Sequence, residues 1–171
     1  GVVMNAGVGE SIKPREFEEI VDWFEVLRDG VLLRFNKGQV HWAYRLSEGW
    51  QPGIITRVAF SWPHEASDEI PQKVREANQL RLKKQPLEFP SCGSVFKNPE
   101  GKKAGALIES AGLKGLKIGK AQVSEKHANF IVNLGGASAA DIFAVIEKVK
   151  SEVFNKSGVK LSTEVLKIGR W

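Results

Sequence analysis

The segment S-C-G-S-V-F-K-N-P, residues 91–99, brings several chemically capable side chains into one short stretch. Cys92 is a candidate nucleophile, but a thiol needs a base or a positive field to ionise, and the histidines are remote in the sequence. Ser94 follows a glycine, which lets a ligand approach the backbone closely. From these residues alone, Cys92 is better interpreted as a small apolar strand residue. The Gly-Ser pair is likewise better interpreted as a turn, with ligand binding as the alternative.

Other polar residues carry similar pairs of interpretations. Arg45 ends a strand pattern in W-A-Y-R-L-S, where it suits bidentate binding of a carboxylate or phosphate, or serves as a surface cation. Lys97 and Asn98 supply a cation and an amide suited to phosphate or sugar hydroxyls. Glu164 in T-E-V-L-K-I-G is favoured as a solvated strand residue, and Asn5 in V-M-N-A-G as part of a turn.

Composition narrows the class of protein. The chain has 171 residues, a net charge of +5 and 42% hydrophobic residues, which predicts a soluble globular protein with a real core. Its single cysteine forbids an internal disulfide, and no cluster has zinc-ligand spacing, so no metal is predicted. The basic residues accompany no nucleic-acid motif, which favours a solvated basic surface or an anionic small ligand over nucleic acid. No apolar run approaches about 18 residues, so we expect no membrane segment. Since the single cysteine cannot form an internal disulfide, a reducing, cytosolic setting is the default expectation.

The first half of the sequence predicts antiparallel strands. Aromatic and branched runs between residues 18 and 62 are separated by the turns R-D-G and N-K-G, which indicates a meander. Ser67 or Asp68 is predicted to cap a helix that runs to Lys84 with apolar residues at helical spacing.

The second half mixes strands and helices, in an α/β or α+β arrangement. We predict a strand at C-G-S-V-F, a helix over residues 104–112 ended by Gly112, and a buried strand over 128–133. Ser138 and Asp141 form a predicted capping box before an apolar stripe. T-E-V-L-K-I-G is predicted to be the last strand.

Taken in order, the motifs V-V-M-N-A-G, Y-R-L-S, G-S-V-F-K-N-P, A-G-A-L-I-E-S-A-G-L-K-G, V-S-E-K-H-A-N-F-I-V-N and T-E-V-L-K-I-G resemble the UDP-N-acetylenolpyruvoylglucosamine reductases, the MurB family. The resemblance implies an α+β fold. Residues 1–66 would be the C-terminal remainder of a mostly β, PCMH-type FAD-binding domain, 67–89 a connecting helix and linker, and 90–171 an α/β substrate-binding domain. The early part of the flavin domain has no counterpart in the sequence, so a missing N-terminal part is an expected partner.

The resemblance also implies an activity, the reduction of UDP-N-acetylenolpyruvoylglucosamine to UDP-N-acetylmuramate with NADPH and FAD. This reaction belongs to peptidoglycan synthesis in the bacterial cytoplasm. By motif match, Ser94 takes the place of the proton donor, and Arg45 and Glu164 those of the catalytic arginine and glutamate.

Binding residues follow from the same match. The residues matching substrate contacts are Tyr44, Lys84 (with Lys83 as a competing choice) and Asn98, and those matching flavin contacts are Asn5, Ala6 and Gly7. The alternative functions are a non-catalytic UDP-sugar-binding fragment of this reductase, or a thiol-dependent hydrolase that uses Cys92.

Overall fold

The computed structural model describes residues 7–8, 15–62 and 67–169. Two compact units divide the chain, one from Gly1 to Asn78 and the other from Gln79 to Trp171. Each unit is built around its own cluster of buried apolar residues.

Antiparallel strands dominate the described part of the first unit, as the sequence predicted. They are β1 (Gly7–Val8), β2 (Arg15–Glu16), β3 (Val21–Arg28), β4 (Val31–Asn36), β5 (His41–Ala43), β6 (Leu46–Glu48) and β7 (Ile54–Phe60). The sheet order is β4-β3-β7, whereas β5 and β6 form a separate two-stranded sheet among the described strands. The predicted meander is therefore interrupted, because a separate hairpin precedes β7.

One face of the β4-β3-β7 sheet forms the core of the first unit. Phe24 and Val26 alternate inward and are completely buried. The Phe24 ring stacks on Phe35 at 5.7 Å between centroids and meets the edge of Trp50 at 5.2 Å. Burying a side chain of this size contributes about 1.5–3 kcal/mol, so this aromatic group is a main source of stability.

The opposite face of the same sheet holds a buried carboxylate. Glu25 is only 5% exposed, and its Oε1 accepts a hydrogen bond from Arg34 Nη2 at 2.7 Å. Arg57 Nε lies 3.8 Å from Oε2, and the Arg34 guanidinium also covers the Trp23 ring at 3.9 Å. A carboxylate buried in this way is tolerated because cations compensate for its lost hydration.

Helix α1 (Ile70–Lys84) begins where the sequence predicted. Ser67 Oγ accepts a hydrogen bond from Glu69 N and Ser67 O accepts one from Ile70 N, both at 3.2 Å, so Ser67 supports the turn that leads into the helix. No residue of α1 is buried, and Ile70 and Val74 are about half exposed.

Helices and an antiparallel sheet make up the second unit beyond α1. The elements are β8 (Ser91–Ser94), α2 (Ala104–Ser110), β9 (Lys117–Ile118), β10 (Ala121–Val123), β11 (Phe130–Asn133) and α3 (Ala139–Ser157). The sheet order is β8-β11-β10-β9, and each pairing is antiparallel. The second unit is therefore α+β, and the expected α/β arrangement is corrected, since that arrangement requires parallel strands.

The capping box of α3 is confirmed. Ser138 Oγ accepts a hydrogen bond from Asp141 N at 3.1 Å, and Ser138 N donates to Asp141 Oδ2 at 3.0 Å. The bond from the Ser138 backbone lowers the pKa of the Asp141 carboxyl. The predicted apolar stripe packs in the core, where Val145 and Val149 are fully buried.

Two local predictions need correction. T-E-V-L-K-I-G is not a strand: Thr163 forms an isolated antiparallel bridge with Phe96, and Leu166 and Ile168 are 86% exposed. Its alternating pattern resembles a strand, but the segment has no further ladder partner among the described residues. The β9–β10 hairpin was not predicted, because its strands are only two and three residues long.

Candidate active site

Ser94 lies at the end of β8, directly opposite Phe130 of β11. It is half-buried. The preceding Gly93 has φ of +80°, a conformation that favours glycine, and a Cβ built there would meet no described atom within 4 Å apart from its chain neighbours. Gly93 therefore turns the backbone beside an open space directly before Ser94.

The backbone that follows Ser94 is held from two sides. Val95 N donates to Asn129 O at 2.9 Å, and Val95 O accepts from Glu164 N at 2.8 Å. Lys97 N donates to Ser162 O at 2.9 Å. The structure thus brings Ser94 and Glu164 onto adjacent segments, although they lie far apart in the sequence.

Packing in the apolar core also holds the backbone that follows Ser94 in place. Val95 and Phe96 are at most 2% exposed and belong to the apolar cluster that α3 covers. Because buried side chains lock the backbone between Ser94 and Lys97, the flanking polar side chains are presented from a rigid support. Glu164 itself is half-buried, at the point where the chain leaves the bridge to Phe96.

Asn98 has a structural hydrogen bond in addition to its predicted binding role. The side chain is exposed, and its Oδ1 accepts from Ala104 N, the first residue of α2, at 3.0 Å. This bond satisfies one of the amide groups that a helix start leaves unpaired. It also orients the Asn98 amide, so that a ligand would meet the Nδ2 donor.

Lys83 and Lys84 are the last two residues of α1 and are both exposed. Cations are favourable at this end of a helix because the helix dipole is negative there. Their placement does not separate the two choices for the substrate-binding lysine.

Tyr44 and Arg45 form the turn between β5 and β6, where Ala43 pairs with Leu46. Arg45 has φ of +57°, and such a left-handed conformation costs a residue other than glycine about 1–2 kcal/mol. Its guanidinium lies 5.4 Å from the centroid of the Tyr44 ring, which is 47% exposed. A strained arginine at a hairpin tip is the kind of outlier that points towards a functional role.

The candidate flavin residues are mostly beyond the described part of the chain. Asn5 and Ala6 lie outside the described residues, and Gly7 is the first residue of β1, where it pairs with Glu16.

Cys92 does not have the environment of a nucleophile. The side chain is exposed on β8, so the expectation that it packs as an apolar residue is wrong. Desolvation by its surroundings raises the pKa of the thiol instead of lowering it.

His127 already has contacts within its own turn. Its Nδ1 accepts a hydrogen bond from Asn129 N at 3.2 Å, and its ring centroid lies 4.8 Å from that of Phe130. Burial lowers the pKa of His127 and favours its neutral form.

One residue beside the site was not singled out from the sequence. Asn129 is 4% exposed, and its side chain forms hydrogen bonds with both the N–H and the carbonyl oxygen of Phe96. An asparagine within an otherwise apolar strand, as in A-N-F-I-V, was the available signal, because a buried amide needs partners.

The described residues hold neither a metal-binding cluster nor a membrane-spanning helix. Over residues 7–8, 15–62 and 67–169, no group of three or more His, Cys, Asp and Glu side chains is arranged to hold a metal ion. Among the helices of the same ranges, none combines the length and apolar character needed to cross a bilayer.

Most of the second unit matches a known protein family. The family model for "UDP-N-acetylenolpyruvoylglucosamine reductase, C-terminal domain" matches residues 85–168. UDP-N-acetylenolpyruvoylglucosamine reductases from Clostridium botulinum (strain Okra) and Heliobacterium modesticaldum are each 44% identical to the chain over 171 residues. These alignments cover 98% of this chain but only 54% and 53% of the two relatives. The chain thus spans about half the length of the curated relatives it matches.

A solved structure extends the similarity to the fold. The crystal structure of UDP-N-acetylenolpyruvylglucosamine reductase (MurB) from Thermus caldophilus matches with a TM-score of 0.78 at 33% sequence identity. The match covers 96% of this chain and 58% of that one. Sequence and structure together show that the chain belongs to the UDP-N-acetylenolpyruvoylglucosamine reductase family.

Proposed function

We propose that this chain is part of a reductase that converts UDP-N-acetylenolpyruvoylglucosamine to UDP-N-acetylmuramate with NADPH and FAD. The observation that carries the proposal is the pairing of the Ser94 and Glu164 segments through the bond from Glu164 N to Val95 O at 2.8 Å. A hydroxyl and a carboxylate held on adjacent backbone segments suit proton delivery to a substrate. The family to which the chain belongs supplies the identity of that substrate.

Ser94 is the proposed proton donor. When bound, FAD supplies the hydride that adds to C3 of the enolpyruvyl ether. Negative charge then develops at C2, and the Ser94 hydroxyl donates the proton that completes the lactyl ether. The open space beside Gly93 supports this role, because it gives a substrate access to the half-buried hydroxyl.

Arg45 and Glu164 would assist this transfer. The positive charge of Arg45 suits the substrate carboxylate, next to which negative charge grows in the transition state. Glu164 would act as a hydrogen-bonding partner or proton relay, because serine alone is a weak acid.

Substrate and cofactor binding draw on further residues. Tyr44 and Asn98 would contact the UDP-sugar, with Lys84 or Lys83 as its cation. Asn5, Ala6 and Gly7 would contact FAD, and one amide side chain with adjacent backbone groups suits the hydrogen-bonding edge of a flavin ring.

The proposed domain organisation follows the same assignment. Residues 1–66 would be the end of a PCMH-type FAD-binding domain, 67–89 a connection, and 90–171 the substrate-binding domain. The enzyme would act in the bacterial cytoplasm, in peptidoglycan synthesis.

Two titrations of the purified reductase that contains this chain test the proposal. The first adds FAD and follows flavin absorbance and fluorescence, and the second adds UDP-N-acetylenolpyruvoylglucosamine and follows heat release. Binding of both, with NADPH oxidation that requires the UDP-sugar, is the expected result for the reductase. Binding of the sugar without flavin would identify the alternative, a non-catalytic UDP-sugar-binding module. Binding of neither would contradict both.

A further inference from the structure

Asn129 is a buried polar residue next to the proposed proton donor. It lies directly before β11 and is 4% exposed. A buried amide of this kind must find hydrogen-bond partners inside the protein.

Both polar atoms of its side chain bond to one residue that follows Ser94, Phe96. Asn129 Oδ1 accepts from Phe96 N at 3.0 Å, and Nδ2 donates to Phe96 O at 2.9 Å. The Asn129 carbonyl also accepts from Val95 N at 2.9 Å. This residue therefore makes three hydrogen bonds to the two buried residues that follow Ser94.

These bonds replace a strand partner where the regular ladder fails. The ladder between β8 and β11 ends at the pair Ser94–Phe130, where β8 ends and β11 begins, so no strand pair continues past Ser94 on this side. The Asn129 amide presents one acceptor and one donor to Phe96, as a neighbouring strand would. On the other side, the same segment pairs with Ser162 and Glu164.

We propose that Asn129 is a positioning residue. It holds the backbone of residues 94–97 (the Ser94 segment) against that of residues 162–164 (the Glu164 segment), so that Ser94 and Glu164 keep the relative position that proton delivery needs. This inference rests on the proposed reductase function. The core contacts of Val95 and Phe96 resist large displacements, but apolar packing is not directional. The amide bonds specify which peptide groups lie opposite each other.

The test uses the flavin-loaded reductase that contains this chain, with Asn129→Ala and a matched Asn133→Ala control. Asn133 lies at the other end of β11, and its Oδ1 accepts from Gly135 N at 2.9 Å and Ala137 N at 3.0 Å. Both variants thus remove an asparagine that braces backbone, but only one of them touches the Ser94 segment.

We expect Asn129→Ala to lower kcat by about 100-fold, the cost of a displacement of roughly 1 Å in a reacting group, with little change in KM for the UDP-sugar. Reduction of the flavin by NADPH should be unchanged. Asn133→Ala should keep the parental kcat at a temperature where both variants are folded. Equal kcat in Asn129→Ala and the parent, or equal losses in the two variants, would overturn the inference.

Asn129→Asp gives a second readout if the alanine variant fails to fold. A protonated aspartic acid offers one donor and one acceptor to Phe96, as asparagine does, whereas the carboxylate offers only acceptors. The ratio of variant to parental kcat should therefore rise as pH falls, and a flat ratio would count against the inference. A parent enzyme without turnover would instead contradict the proposed function itself.

Discussion

Replacement of Arg45 by glycine should leave stability nearly unchanged while it removes activity. Arg45 adopts φ of +57° at the tip of the β5–β6 hairpin, where glycine would be relaxed. A residue under selection for stability alone would be glycine or asparagine at this position. The arginine is therefore expected to be there for its charge.

Three contributions to the change in the free energy of unfolding can be given a size. Relief of the left-handed backbone contributes about 1–2 kcal/mol. The greater freedom of glycine in the unfolded chain offsets about 0.4–1 kcal/mol of this. Loss of the contact between the half-buried Arg45 guanidinium and the Tyr44 ring, at 5.4 Å from the centroid, offsets about 0.5–1 kcal/mol more. Together these three contributions change the free energy of unfolding by no more than about 1 kcal/mol, equivalent to roughly 4 °C in Tm.

Catalysis should respond very differently. Loss of one preorganised group that stabilises developing charge typically lowers kcat by about 10²–10³, so Arg45→Gly should be nearly inactive in the NADPH-dependent assay. Arg45→Lys should recover only part of the rate, because lysine keeps the charge but loses the planar fork.

Asp29→Gly is the matched control. Asp29 also has a positive φ, at +49°, and also lies in a hairpin turn, between β3 and β4. Its only described ion pair, with Arg28 at 3.3 Å, is exposed and contributes little. Both variants relieve backbone strain, but only Arg45→Gly should lose turnover. Equal turnover in the two glycine variants would refute the catalytic role of Arg45.

Three further outcomes are expected. Ser138→Ala removes the cap of α3 and should lower the free energy of unfolding by about 1 kcal/mol in urea denaturation, without a change in UDP-sugar affinity. Cys92→Ser should keep full turnover, because the pKa of the exposed thiol is raised; an inactive variant would favour the thiol mechanism. Burial lowers the pKa of His127, so the unfolded chain binds the proton more tightly than the folded one. Its contribution to stability should be lost as pH falls from about 6.5 through the lowered pKa, and His127→Gln should show a smaller loss of urea midpoint over that range.

Local signals predicted much of the fold correctly. The Ser138 capping box, the apolar stripe of α3 and the end of α2 near Gly112 each depend on a few neighbouring residues, and all three are confirmed. The T-E-V-L-K-I-G strand failed because a strand exists only through its partners. Its alternating residues gave no information about whether a neighbour was there.

The sequence predicted which residues belong to the candidate site, but not how they are arranged in space. Motif order singled out Ser94 and Glu164, yet no local pattern indicates that Glu164 N bonds to Val95 O. The strand end at Arg45 was visible in the sequence, whereas its positive φ was not, since glycine normally occupies such a position. The role of Asn129 could not be predicted from local sequence, because its partners, Val95 and Phe96, lie more than thirty residues away.

The most direct test of the account is a rapid-mixing experiment on Ser94→Ala. The flavin-loaded variant is first mixed with NADPH and then with UDP-N-acetylenolpyruvoylglucosamine, and flavin absorbance is followed in both steps. The account predicts that NADPH bleaches the flavin at the parental rate and that the UDP-sugar fails to restore its absorbance, because no proton reaches C2. Restoration at the parental rate, with formation of UDP-N-acetylmuramate, would contradict the role of Ser94.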